Sequence, residues 1–190
     1  ILIKLSPLID IQHLVSSLQN IYKIWIIAVK NEVKEVLVYL KKTENRPEIS
    51  CINLQSSEPE FHFNLDDEKH CKSEFSIPKK YIYIPNNSVL KSGAFNLVSE
   101  KFGLRKLHQN THIYTSEEKI EHFPGRIFET EEINSKAIKK GEQFNIITKN
   151  FPLKPEEIKK KYKIKDGGNQ YLIAVKSLSG NHFLVGKLLD

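Results

Sequence analysis

Lys149, Asn150, Lys154, Lys159, Lys160, Lys161, Lys163 and Lys165 fall within 17 residues, around one turn and one short helical stretch. Ammonium groups at that density suit a polyanion. Each meets a phosphate as a point charge, so contact is led by structure and weakened by salt rather than being sequence-specific. Positions 139 to 176 hold ten lysines against Glu142, Glu156, Glu157 and Asp166, a surplus equal to the net charge of +6 on the whole chain. Basic charge concentrated in one segment points to nucleic acid. A solvated lysine face that merely complements a helix C-terminus would have the same composition. Phe151 and Tyr162 lie among these lysines, either to stack on an unpaired base or to join the core.

Other chemistries lack their residues. The seven histidines are scattered, no H-E-x-x-H occurs, and a turn at Asn110-Thr111 separates His108 from His112. Cys51 and Cys71 have no paired spacing of the kind zinc needs and read as structural thiols suited to a reducing cytoplasm. None of Ser6, Ser16, Ser17 or Ser116 sits in a G-x-S-x-G elbow. The eight glycines begin at Gly93, and no three have the spacing of a loop that cradles phosphates. No catalytic residue, cofactor-binding residue or metal ligand is therefore assigned. The 190 residues, 39% hydrophobic and 27% charged, leave room for one or two domains with real cores. No apolar run approaches the ~20 residues of a bilayer span, so no membrane partner is expected. With no methionine at all, the chain reads as a piece of a longer protein.

Several elements must position these residues. Residues 1–5 read as a strand, and Asp10 caps a helix with Ile11, Leu14, Val15 and Leu18 on one face. Strands at 23–30 and 33–40 form a hairpin through Asn31-Glu32. Three near-continuous apolar strands need cover on both faces, more than one helix supplies, so partners upstream of this block are expected. A polar break at 43–47 precedes a second hairpin, 48–55 with 60–65, and a charged loop at 66–73. A strand at 81–84 leads into one helix over 86–102, closed by Gly103. Short strands follow at 104–107 and 112–114, and a boundary is expected near the turn at 122–126. Beyond it come a strand (126–133), a short helix (135–140), a strand (143–149) and a helix to 163 with Pro155 in its first turn. A turn at Asp166-Gly167-Gly168 precedes a hairpin of 171–177 with 182–188.

Ile3-Lys4-Leu5-Ser6-Pro7-Leu8-Ile9-Asp10-Ile11 and Val29-Lys30-Asn31-Glu32-Val33-Lys34-Glu35 resemble the end of the catalytic domain of certain bacterial class I SAM-dependent methyltransferases. Tyr83-Ile84-Pro85-Asn86, Lys91-Ser92-Gly93-Ala94-Phe95, the run from Phe102 to Thr115 and Phe123-Pro124-Gly125-Arg126 resemble that family's ferredoxin-like module. Asn150-Phe151-Pro152-Leu153, the lysine-rich helix, Lys165-Asp166-Gly167-Gly168 and Tyr171-Leu172-Ile173-Ala174 resemble its THUMP-like domain.

The resemblance implies an α+β chain in three segments. Residues 1–42 are the fifth strand to the closing hairpin of a Rossmann-like sheet, 43–125 a linker hairpin and ferredoxin-like module, and 126–190 a small THUMP-like domain. The family's glycine-rich SAM loop and acceptor-site motif have no counterpart here. This chain alone is therefore expected to be inactive, with SAM the cofactor of the intact parent protein. Ser6, Pro7 and Asp10 follow the carboxyl end of a parallel strand, where such sheets place ligands, and are expected at the active-site rim. RNA is the expected partner of the lysine segment. Residues 1–42 are expected to pair with the missing N-terminal half or with a second copy. The alternatives are a free-standing RNA-binding module, or a folding or dimerisation appendage of a methyltransferase with another substrate.

Overall fold

A computed structural model describes residues 1–42 and 46–189, and the chain divides into two compact units. The polar break expected at 43–47 falls partly on residues 43–45, outside the described residues. The first unit comprises Ile1–Ser73, Pro85–Phe102 and His122–Gly125; the second comprises Glu74–Ile84, Gly103–Glu121 and Arg126–Asp190.

In the first unit, β1 (Leu2–Leu5), α1 (Ile11–Ser17), β2 (Ile21–Val29), β3 (Glu32–Leu40), β4 (Glu48–Leu54), β5 (Phe61–Asn64) and α2 (Asp67–His70) are followed by α3 (Asn87–Ser92) and α4 (Phe95–Lys101). The strands form one sheet in the order β1-β3-β2-β4-β5, with β2 and β4 parallel and the other neighbours antiparallel. Asp10 caps α1 as expected, its Oδ1 accepting from the His13 N–H at 2.7 Å. The β2–β3 turn is Lys30-Asn31 rather than Asn31-Glu32. Both residues have positive φ (48° and 65°), the twist a two-residue hairpin loop requires.

Cover for these strands comes from within the chain rather than only from upstream. Ile24, Ile26 and Ala28 of β2 and Val36 and Val38 of β3 are fully buried, and α3 packs on β2, β3 and β4. Their alternate residues are only half-buried, so the strands follow a period of two despite their apolar sequence. The helix expected over 86–102 is two. Gly93 is left-handed (φ 79°) and ends α3, and α4 restarts after Ala94, which has no side chain with which to cap it. Glu68 supplies that cap from 66–73, accepting from the Asn96 and Leu97 N–H groups at 2.8 and 2.7 Å.

The second unit holds β6 (Tyr81–Pro85), β7 (Arg105–His108), β8 (Thr111–Ser116), β9 (Gly125–Ile133), β10 (Gln143–Lys149), α5 (Pro155–Tyr162), β11 (Lys165–Ser177) and β12 (Gly180–Leu189). They form a seven-stranded sheet in the order β10-β11-β12-β9-β6-β8-β7. β10 and β11 are parallel, which the α5 crossover permits. Alternation along β11 sorts its side chains. Leu172 and Ala174 pack with Ile158 of α5, while Ile173 and Val175 pack with Ile82, Leu107, Ile113 and Phe128 on the opposite face.

Two expectations change here. Only Ser135–Ala137 is helical within 135–140, a single 3₁₀ turn capped by Asn134. Gly167 and Gly168 lie inside β11 rather than in a turn before it, at a register shift opposite Phe144 and Asn145. Their φ values of 105° and 79° make glycine the residue that fits.

Candidate nucleic-acid interface

Pro155 opens α5 and Glu157 closes its first turn, its Oε2 accepting from the Lys154 N–H at 2.7 Å. Ile158 is the one fully buried residue of the helix and faces the core. This anchoring turns the lysines outward at both ends. Lys149 and Lys154 are exposed on the approach to α5, and Lys160, Lys161, Lys163 and Lys165 are exposed at its exit. Eight residues at ~1.5 Å rise separate the two groups by roughly 12 Å along the axis. Lys163 ends the helix in the left-handed region (φ 55°), and its carbonyl accepts from the Gly141 N–H at 2.9 Å. That bond brings Lys139 and Lys140, both exposed, alongside the exit group.

Lys159 stands apart from the other candidates. Its ammonium pairs with the carboxylates of Asp166 and Glu156, and its side chain is only 18% exposed. The hydrogen bond to Asp166 first, then that to Glu156, holds it above the ordinary lysine range. Asn150 is also committed locally: it takes φ 52°, and its Nδ2 donates to Thr111 Oγ1 at 3.0 Å. Phe151 and Tyr162 both join the edge of the core while staying partly exposed. Both sit edge-on to Phe183, at 5.0 and 5.6 Å between ring centroids, and pack against the α5 side of the sheet.

Ser6, Pro7 and Asp10 belong to the first unit and follow β1. Ser6 Oγ accepts from the Leu8 N–H at 3.2 Å, and Asp10 is engaged as the α1 cap. β1 lies at the end of its sheet, with Ile1 79%, Leu2 63% and Leu8 89% exposed.

Sequence reasoning passed over two clusters. His182 Nδ1 lies 2.7 Å from Glu132 Oε1, and its Nε2 lies 2.7 Å from Ser177 Oγ. Ser177 is buried at the turn end of the β11–β12 hairpin, so this relay fastens the hairpin to β9. His112 lies near Lys106 and Lys149 in space. Burial first, then the charges of Lys106 and Lys149, pushes it down to about 4. The unfolded chain therefore binds a proton between about pH 6.5 and 4 that the folded chain refuses, and stability falls as pH falls through that window. Allowing for solvent screening, His112→Gln is expected to remove about 2 kcal/mol of the stability lost between pH 7 and pH 4. Urea denaturation of both proteins at the two pH values checks this; equal losses would refute it.

Burial first pushes the Cys51 thiol up to about 12 and the Cys71 thiol up to about 11, so neither is a thiolate nucleophile near neutrality. Among the described residues, no group of three or more His, Cys, Asp or Glu is placed to hold a metal ion, and no helix is long and apolar enough to cross a membrane.

Comparison with known proteins brings these elements together. Residues 81–124 match the family model of a ferredoxin-like domain, and residues 125–186 match that of a THUMP domain-like family. The fold superposes on a crystal structure from Porphyromonas gingivalis W83, of a protein provisionally assigned as a methyltransferase, with a TM-score of 0.86 and 33% sequence identity. The match covers 98% of this chain and 50% of that one, so this chain spans half its length. Among curated proteins no significant match is found. The chain is thus a mixed α+β protein carrying a ferredoxin-like domain followed by a THUMP domain-like one, similar over nearly its whole length to half of that provisionally assigned methyltransferase.

Proposed function

We propose that this chain is the C-terminal, substrate-positioning part of a SAM-dependent methyltransferase that acts on RNA. The match of nearly the whole chain to half of a methyltransferase-assigned protein carries this reading. The segmentation follows it: 1–42 ends the methyltransferase sheet, 43–125 is linker and ferredoxin-like module, and 126–190 is the THUMP-like domain. Ser6, Pro7 and Asp10 then form part of the active-site rim. The exposed edge of β1 receives the N-terminal half of the enzyme, which brings the SAM site, and the cytoplasm is the compartment. RNA is the substrate class that the THUMP-like match and the exposed lysines at the two ends of α5 favour.

Fluorescence anisotropy with a structured RNA such as tRNA, repeated from 50 to 200 mM salt, tests the reading. Four to six phosphate contacts would give log affinity against log salt a slope of about −4 to −5. Isothermal titration of the same chain with SAM is expected to show no stoichiometric micromolar heat. Absence of RNA binding at the lowest salt would favour the folding or dimerisation role instead, and a tight SAM isotherm would refute the division of labour.

A further inference from the structure

Between the turn that follows β10 and the tip of the β11–β12 hairpin lies a groove of about 410 Å³. That volume is within the roughly 300–1,000 Å³ of small-ligand sites. Phe151, Pro152 and Leu153 give it an apolar wall, and Lys154, Lys176 and Asn181 bring polar groups to it. None of its lining residues is acidic. Two other grooves of this unit differ in this respect: in one of about 490 Å³ Glu129, Glu131 and Glu142 outnumber Lys80 and Lys187, and one of about 430 Å³ is lined by Glu132 without any lysine. Charge thus singles out the first for an anion.

The groove is also held in shape. Phe183 fixes Phe151 edge-on, and Thr111 holds Asn150 in its left-handed conformation at the start of the turn. Glu157 holds the Lys154 backbone, leaving the side chain exposed. Lys176 lies on β11 directly opposite Asn181 on β12, so both are set by the hairpin register. Neither Lys154 nor Lys176 forms an ion pair among the described residues. An apolar wall beside two unpaired cations and an amide matches one nucleotide: a base face, a phosphate, and a base edge able to hydrogen-bond.

We propose that this groove takes a single unpaired nucleotide of RNA, its base against Phe151, Pro152 and Leu153, its phosphate between Lys154 and Lys176, and its edge at Asn181. The proposal rests on the RNA reading above and adds to it a preference for unpaired strands, because a base held in a duplex cannot lay its face on the apolar wall. The lysines at the exit of α5 then supply phosphate contacts indifferent to pairing.

The test uses the full chain and two labelled probes, hexauridylate and a 12-base-pair RNA duplex. Lys154→Glu with Lys176→Glu is expected to lower affinity for hexauridylate at least about 10-fold while changing duplex affinity by less than about threefold. Asn181→Ala is expected to weaken hexauridylate binding alone. If charge reversal lowers the melting temperature, Lys154→Gln with Lys176→Gln provides the same comparison. Equal losses for both probes, or no loss for either, would overturn the nucleotide groove while leaving RNA binding intact. Failure of the unaltered chain to bind either probe would overturn the RNA reading itself, and the groove with it.

Discussion

Gly186→Ala is expected to lower the stability of the 190-residue chain by about 3 kcal/mol, or roughly 6–12 °C in melting temperature. Gly186 lies on β12 between Tyr171 of β11 and Thr130 of β9, buried between two paired strands. A Cβ built there would meet the Glu129 carbonyl oxygen at 2.5 Å and Thr130 Cγ2 at 2.6 Å. The first contact is with backbone and cannot rotate away. Neither can β9 withdraw easily, because the Thr130 N–H donates to the Lys80 carbonyl at 2.8 Å on its other side. Pairing Gly186→Ala with Thr130→Ala removes the second contact only, so partial recovery is expected. Thermal melts of the single and double variants check both statements. A single variant that melts with the parent protein would mean that β9 and β12 do not approach this closely.

Reversing Lys160, Lys161 and Lys163 to Glu is expected to cost at least about 100-fold in affinity for a structured RNA and to flatten the salt slope by about three. These three side chains are exposed at the exit of α5 and form no ion pair among the described residues. Losing favourable charge at a helix C-terminus costs only about 0.3–1 kcal/mol each at most, so folding should survive. Lys159 is left unchanged for a structural reason. Glutamate there would face Glu156 and Asp166, and the resulting repulsion would confound a binding defect with a folding defect. Anisotropy titrations beside a melting curve separate the two effects. Undiminished affinity and salt slope would reduce the lysine surface to a solvated face.

The dependence of that experiment on Lys159 marks a general division. Much of what lies within one or two helical turns of sequence was legible, though not the single 3₁₀ turn at 135–137 or the strand position of Gly167 and Gly168. Asp10 as a cap three residues before His13, Pro155 opening a helix, the β2–β3 hairpin and the density of lysines around α5 all depend on neighbours a few residues away. Chemistry that depends on residue type alone was also legible, including the absence of a glycine loop in this sequence.

Tertiary structure decided what depends on distant partners. Only the fold brings Glu68 to the N-terminus of α4, and it does so after Gly93 has broken a helix that reads as continuous. The fold also selects among chemically identical lysines, pairing Lys159 with Asp166 seven residues on while leaving Lys160 and Lys163 exposed. Lys176, placed opposite Asn181 and beside the Phe151 turn, joins a groove that its position in the sequence gives no reason to suspect. Sequence determines how many charges a segment carries and how its strands and helices begin and end. Which charges stay free is settled by the carboxylates that packing brings within a few ångströms, because Coulomb attraction and hydrogen bonding act through space and not along the chain.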